Sequence, residues 1–239
     1  MPLDVSLRVL TYNIRHCKGL DGRVSLDRVA SVIRSSGADL AALQEVDSFS
    51  CRSGLRRQAY VLGRELVMWS VYGPTRRTLR LPRFGNAILG KRRLLEAVQH
   101  RLPGEGEPRS LLGVKVESDR VELALFNTHL GLTVRSRGEQ IARIVEVLQG
   151  ASGPFVLCGD FNCRPHAPEL APLYALAQDA AAVLGREAPT FPAGGPKVRI
   201  DYIFVSPHWS VRGIEVLESD ASDHLPVMAE LVVPAESAS

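Results

Sequence analysis

The sequence predicts an α/β fold in which two mixed, mostly antiparallel β-sheets pack face to face with helices outside. Three observations predict it. Strand-like apolar runs outnumber helical ones along the 239 residues, neighbouring strands are often joined by short turns that favour antiparallel pairing, and helices are interspersed throughout.

Taken in order, Leu7 to Ile14 alternates and carries β-branched residues, so it reads as a strand. Ser25 offers an N-cap, and Leu26, Val29, Ala30 and Ile33 share one helical face before Gly37 stops the helix. Leu40 to Leu43 is a short buried strand that delivers Glu45 at its exit. Leu55, Ala59, Leu62 and Leu66 define a second amphipathic helix with its arginines outward. Asn86 to Leu89 and the run to Val98 read as strands. Leu111 to Val116, a Ser118-Asp119-Arg120 turn and Val121 to Asn127 read as a hairpin. Ile141, Ile144, Val145 and Leu148 face inward on a third helix closed by Gly150. Phe155 to Cys158 is a strand, Pro168 to Gln178 a helix and Arg199 to Val205 a strand. The last two strands run from about Val211 to Leu217 and Val227 to Val233. No repeat or Pro/Gly linker divides the chain, so residues 1–239 read as one domain with its core at about 7–233 and a frayed tail at Ala235 to Ser239.

Apolar content of 45% and charged content of 23% are those of an ordinary soluble globular protein. No apolar stretch approaches the roughly 18 residues of a membrane span, and Met1 to Ser6 lacks the pattern of a signal peptide. The four cysteines fit no disulfide or zinc spacing, so a reduced, cytoplasmic setting is the simplest expectation, with a monomer as the expected assembly. The net charge of +3 conceals an asymmetry: Arg52 to Arg93 holds eleven basic residues against one acid, Glu65, which makes that segment +10 and the rest −7. One reading is a solvated arginine-rich face; the sharper one is a wall of a groove for a polyanion. Arg76, Arg77, Arg80 and Arg83 lie in what reads as a loop, from which guanidinium groups can grip phosphates bidentately. No aromatic residues interleave with them, which argues against base stacking there.

Five polar islands end apolar runs: Thr11-Tyr12-Asn13-Ile14-Arg15, Leu43-Gln44-Glu45-Val46, Asn127-Thr128-His129-Leu130, Gly159-Asp160-Phe161-Asn162 and Ser222-Asp223-His224. At the rim of a sheet such groups can converge. Hard cations want oxygen ligands, and alternation puts Asp160 and Asn162 on one side of an extended chain with Phe161 opposite. Singly, each has a plainer reading: a loop acid, a turn former or a structural histidine.

Together with Gly-Asn-Ala-Ile-Leu around Asn86 and Arg-Ile-Asp-Tyr-Ile-Phe-Val around Asp201, and read on to Ser-Asp-His-Leu-Pro-Val, the islands resemble in order the signature of the endonuclease/exonuclease/phosphatase superfamily, from Thr11 to about Val232. The resemblance implies a four-layer α/β sandwich with its site at one rim and a Mg²⁺- or Mn²⁺-dependent phosphoesterase activity. By the same resemblance Glu45 is the principal metal carboxylate, Asn13 a nearby amide ligand or phosphate donor, and Asp223 the distal carboxylate. Asp160 would activate the attacking water and Asn162 would hold it or a phosphoryl oxygen. His224 would donate to the phosphate, with Asp201 fixing its tautomer, and His129 would contact the phosphate or protonate the leaving oxygen. Arg109 would approach the scissile phosphate, and Asn86 would support the site. Arg15 stands where some DNA-repair members carry an aspartate, as in the deoxyribonuclease-like pattern; this makes abasic-site repair less expected and suggests a phosphate contact at Arg15. The expected substrate is nucleic acid, DNA or RNA. The alternatives are an inositol phosphate or a sphingomyelin-like lipid and, from another class, a non-catalytic nucleic-acid-binding module.

Overall fold

In the computed structural model the structure describes residues 5–78, 81–117 and 122–233, with the side chains of 76–83 excepted. The Ser118-Asp119-Arg120 turn, Arg80 and the C-terminal tail therefore lie outside the described residues, as do the side chains of Arg76, Arg77 and Arg83.

The first sheet contains β1 (Val5–Asn13), β2 (Leu40–Asp47), β3 (Trp69–Thr78), β4 (Leu81–Gly90), β11 (Ser210–Val216) and β12 (Val227–Val233), in the order β11-β12-β1-β2-β4-β3. The second contains β5 (Leu94–Leu102), β6 (Arg109–Val116), β7 (Leu123–His129), β8 (Phe155–Asp160), β9 (Gln178–Asp179) and β10 (Asp201–Val205), in the order β5-β6-β7-β8-β10-β9. Each sheet has one parallel pair, β1 with β2 and β7 with β8. A parallel pair needs a crossover, and α1 (Leu26–Ser36) and α3 (Val134–Gln149) supply the two.

Strand alternation sorts the apolar residues into three cores. Val9, Leu40, Ala42, Leu125, Val156, Cys158 and Ile203 face the other sheet, in the central core. Leu10, Tyr12, Ala41 and Leu43 face α1 and α2 (Gln58–Leu66) on one outside. Phe155, Leu157, Tyr202 and Phe204 face α3 on the other. The result is helix, sheet, sheet, helix, which is the four-layer architecture expected.

Period-two geometry also explains where the polar islands go. Following the inward face of each strand toward one rim gives Val9, Thr11, Asn13 on β1 and Leu40, Ala42, Gln44 on β2. The second sheet gives Leu125, Asn127, His129 on β7, Val156, Cys158, Asp160 on β8 and, in reverse, Val205, Ile203, Asp201 on β10. Each strand runs from hydrocarbon to amide or charge toward the same end of the inter-sheet space. Just below that rim the sheets are joined by buried amides. Asn127 Nδ2 donates to the carbonyls of Leu43 and Ala87, each at 2.8 Å, and its Oδ1 accepts from Gln44 Nε2 at 2.7 Å. Asn127→Ala takes this donor from two buried carbonyls, at about 1–3 kcal/mol each, while Gln44 Nε2 keeps Thr11 Oγ1 and the Ala42 carbonyl. We expect a loss of about 3–5 kcal/mol in urea unfolding, and a melting point lower by about 10 °C for a chain of this size.

Three elements differ from the sequence reading. Arg76, Arg77 and Arg83 lie in the paired strands β3 and β4 rather than in a loop: Thr78 pairs with Leu81 and Arg77 with Pro82, and the register shifts on either side of Arg76. Pro74 and the paired arginines hide the strand alternation, while the edge position of β3 tolerates both proline and charge. The expected helix from Pro168 is a 3₁₀ turn (Pro168–Leu170), one helical turn α4 (Ala171–Tyr174) and then β9. Pro172 lacks an N–H and its ring would meet the carbonyl four residues back, so one continuous helix cannot form. Leu55 precedes α2 in a left-handed conformation (φ 59°) and is exposed rather than inward.

Candidate active site

Glu45 owes its position to a β-bulge. Leu43 pairs with Ala87 and Val46 with Gly85, so Gln44 and Glu45 together face Asn86 on β4. Bulges re-aim side chains at sheet rims, and Glu45 takes the strained turn at φ 56°. Asn162 does the same just after β8, at φ 51°. Non-glycine residues in this region cost of order 1–3 kcal/mol and cluster at functional sites.

Asn13 is the hub. Its Nδ2 donates to Glu45 Oε1 at 3.2 Å and to Asp160 Oδ2 at 3.0 Å, and lies 3.5 Å from His224 Nε2. Its Oδ1 accepts from the Arg15 N–H at 3.1 Å, and its carbonyl accepts from Ser222 Oγ at 2.7 Å. Asp160 Oδ1 accepts from the Asn162 N–H at 3.0 Å, while Asn162 Nδ2 donates to the Leu130 carbonyl at 2.9 Å. His129 Nε2 is 3.4 Å and His224 Nε2 3.6 Å from Asp160 Oδ2. His129 can stand beside Asp160 because β7 and β8 are in register there and Gly159 lets the strands close up; a Cβ at Gly159 would collide with the Thr128 carbonyl oxygen.

His224 Nδ1 donates to Asp201 Oδ2 at 3.0 Å, which fixes its tautomer, since a carboxylate only accepts. Thr190 Oγ1 donates to the same carboxylate at 2.6 Å, and the Phe191 ring lies 4.8 Å from the imidazole centroid. Burial alone would lower the His224 imidazole, but Asp201, Asp160 and Asp223 outweigh it and push it up to about 10. Burial, with Asp201 adding, pushes the Asp160 carboxyl up to about 7. His129 is held well below the ordinary histidine value by burial, then by Arg109 and His224, and its Nδ1 meets no partner among the described residues. Burial also raises Glu45.

Asn13, Glu45, His129, Asp160, Asn162, Asp201 and His224 thus form one connected cluster. Asp223 flanks it, paired with Arg15 at 3.1 Å. Arg109 is buried, with one guanidinium nitrogen 3.2 Å from Glu107. Asn86 sits behind the site, donating to the Ser110 carbonyl at 3.2 Å. Thr190 and Phe191 were not found by sequence reasoning: they belong to no strand and reach the site through a loop. Ser222 lay inside an island but was given no role of its own; its hydroxyl holds the Asn13 carbonyl.

Two groups of donors could hold a cation. Asp160, Asp201 and His224 have ligand atoms within 4.8 Å of one another, but Asp201 already receives donors from Thr190 and His224, and magnesium prefers oxygen to imidazole. Glu45 offers a carboxylate that burial leaves short of donors, with one amide hydrogen bond among the described residues. The donor chemistry at Glu45 fits a hard divalent cation better.

A two-sheet sandwich that gathers carboxylates, amides and a charged histidine at one rim is the framework of a hydrolase acting on an anionic ester. The chain belongs to the Endonuclease/Exonuclease/phosphatase family, whose model matches residues 10–224, and is a phosphoesterase of that family. Among solved structures it resembles an endonuclease/exonuclease/phosphatase from Beutenbergia cavernae at 27% identity and a TM-score of 0.77, over 95% of this chain and 72% of that one. A mannosyl-6-phosphatase from Bacteroides thetaiotaomicron is 19% identical with a TM-score of 0.77, over 94% and 99%. TDP2 from D. rerio, complexed with single strand DNA product, is 20% identical with a TM-score of 0.75, over 95% and 99%. The last two share the fold with this chain. No curated protein matches it in sequence. Among the described residues no helix is long and apolar enough to cross a membrane.

Proposed function

We propose that the chain is a Mg²⁺- or Mn²⁺-dependent phosphodiesterase that cleaves nucleic acid by in-line attack of water. The observation that carries this reading is the Asp201–His224–Asp160–Asn13–Glu45 chain of contacts, which joins a charged donor, a base and a cation-binding carboxylate. Glu45 would hold the cation, which supplies Lewis acidity and lowers the pKa of bound water.

The protein groups have separate tasks. Asp160, poised near neutrality, takes a proton from the attacking water. The Asn162 N–H holds one Asp160 oxygen, and the Asn13 amide steers the other. His224, charged and held by Asp201, presents Nε2 to a non-bridging phosphoryl oxygen, where negative charge grows. His129 acts as a neutral donor to the phosphate; burial beside Arg109 and His224 makes it a poor acid for the leaving group at neutral pH. Arg15 and Arg109 add positive charge at the margins, with Asp223 orienting Arg15.

Nucleic acid is favoured over a small phosphoester by the β3–β4 hairpin. Asp47 pairs with Phe84 at the site end of β2, and the hairpin continues beyond that pair with Arg76, Arg77 and Arg83 in its strands. Lys91, Arg92 and Arg93 follow Gly90, which pairs with Leu40 at the other end, so the basic segment divides between the two rims.

A screen of single- and double-stranded DNA, RNA, inositol phosphates, a sugar phosphate and sphingomyelin, with Mg²⁺ or Mn²⁺, tests the reading. The expected result is cleavage of a nucleic acid and of bis(p-nitrophenyl) phosphate, reduced by roughly 10²–10⁴-fold in Asp160→Asn. Turnover of a monoester or lipid alone would overturn the choice of substrate, and full activity in Asp160→Asn would overturn the base.

A further inference from the structure

The basic segment from Arg52 to Arg93 carries aromatic rings of its own, and folding sets arginines of that segment against two of them. Tyr60 on α2 and Trp69 at the start of β3 are 47% and 56% exposed. The Arg57 guanidinium lies 5.0 Å from the centroid of the Tyr60 ring, and that of Arg93 lies 5.8 Å from the centroid of Trp69. Two clefts adjoin here. One, of about 300 Å³, is lined by Ser48, Arg57 and Tyr72; the other, of about 580 Å³, by Arg64, Met68 and Trp69; Tyr60 and Ser70 line both. They form one groove between α2 and the edge strand β3. Its near end is at Ser48, which directly follows the Asp47 end of β2 and bridges to Arg57. The groove therefore begins at the rim that carries Glu45 and runs back along the molecule.

Its charge is one-sided. Among the described residues no acid pairs with Arg56, Arg57, Arg64 or Arg93, and the one acid of the segment, Glu65, is engaged by Arg34 at 3.2 Å. A concave, basic track with exposed rings suits a ligand with regularly spaced anions and flat apolar faces. Unpaired bases stack on aromatic rings in a sequence-tolerant way while arginines follow the backbone. Paired bases hide their faces, so a duplex gains only the charge. An anionic membrane would take the charge too, but lipid insertion calls for an amphipathic helix with a broad apolar face. Here the rings sit in clefts with guanidinium groups against them, and the apolar lip is Val67.

We propose that this groove binds a single strand of nucleic acid, with bases on Tyr60 and Trp69 and phosphates along Arg57, Arg64 and Arg93, and leads it to the Glu45 rim. That it leads to a cleavage site rests on the phosphodiesterase reading; binding in the groove does not.

The protein carries its own probe. Of its two tryptophans, Trp69 is in the groove and Trp209 is 3% exposed. Tryptophan emission of the full-length Asp160→Asn chain, which binds without cutting, is titrated with oligothymidylate longer than the roughly 4–16 nucleotides of a single-strand site. The expected result is quenching that is absent in Trp69→Phe and is relieved as salt rises. Anisotropy of a labelled strand should show binding weakened about tenfold by Tyr60→Ala and by Arg64→Glu, and the matching duplex should compete poorly. Binding that ignores both substitutions, equal competition by duplex, or a blue shift with phosphatidylserine vesicles in place of quenching by the strand would each overturn the proposal. Bis(p-nitrophenyl) phosphate hydrolysis by the unsubstituted chain, measured in parallel, judges the phosphodiesterase reading separately, because that small diester needs no groove.

Discussion

His224→Ala should lower kcat for bis(p-nitrophenyl) phosphate by roughly 10³-fold while leaving KM within a few-fold. An imidazole surrounded by Asp201, Asp160 and Asp223 carries a proton up to about pH 10, so at neutral pH it is a fixed cation with one N–H committed to Asp201. Its other N–H can strengthen only as charge develops on the phosphoryl oxygen. Losing one such donor costs about 10²–10³ in rate, and the loss falls on kcat because the interaction belongs to the transition state. Removing the cation also leaves Asp160 beside Asp201 without its counter-charge, so Asp160 becomes a worse-tuned base. A second readout separates this from a folding defect. The folded-state pKa lies above the ordinary 6.5, so the stability contributed by protonated His224 is complete below about 6.5 and is lost as pH rises through about 10. The melting-point gap between the two proteins should therefore be wide at pH 6 and narrow at pH 10. A constant gap would mean that packing, not charge, is what His224 contributes; unchanged kcat would remove it from the mechanism.

The fold was legible wherever local signals were sufficient. Ser25 caps α1 by accepting from the Arg28 N–H, and Gly37 ends that helix at φ 67°, both as spacing required. Val227 to Val233 forms β12 with the expected bounds. The site was legible because its residues close apolar strand runs, so parity alone sends Asn13, Asp160 and Asp201 toward the inter-sheet space. What sequence could not show was non-local. Thr190 supports Asp201 from a loop eleven residues upstream, with no periodicity to place it. The Glu45 bulge exists only relative to the register of β4. The strand pairing of Arg76 and Arg77 was hidden because an edge strand can carry proline and charge that would disqualify a central one. The lack of aromatic interleaving holds for the run from Arg76 to Arg83 but not for the wider basic segment, where Arg57 lies against Tyr60 three residues on and the fold brings the distant Arg93 to Trp69.

Glu45→Gln should abolish most metal-dependent turnover and shift the cation requirement by at least tenfold. Gln keeps the shape and the ability to accept from Asn13 Nδ2, so the bulge at φ 56° and the Asn13 hub should persist. What it removes is the negative charge that a hard cation needs from a site offering few carboxylates. The wild-type chain should lose activity in EDTA and regain it with Mg²⁺ or Mn²⁺. In Glu45→Gln the Mn²⁺ concentration for half-maximal activity should rise by that factor or more, with a residual rate roughly 10²–10³-fold down. Thermal melting adds a readout independent of catalysis. A cation that binds only the folded state raises the melting point with concentration, so saturating Mn²⁺ should stabilise the wild type and leave Glu45→Gln nearly unmoved. In the absence of metal the order should reverse: burial raises Glu45 because a half-buried carboxylate without its cation is unfavourable, so the neutral amide should be as stable as Glu45 or slightly more so at neutral pH. A destabilised apo Glu45→Gln with an unaltered Mn²⁺ response would place the cation elsewhere, and the Asp160–Asp201–His224 cluster would be the next position to test.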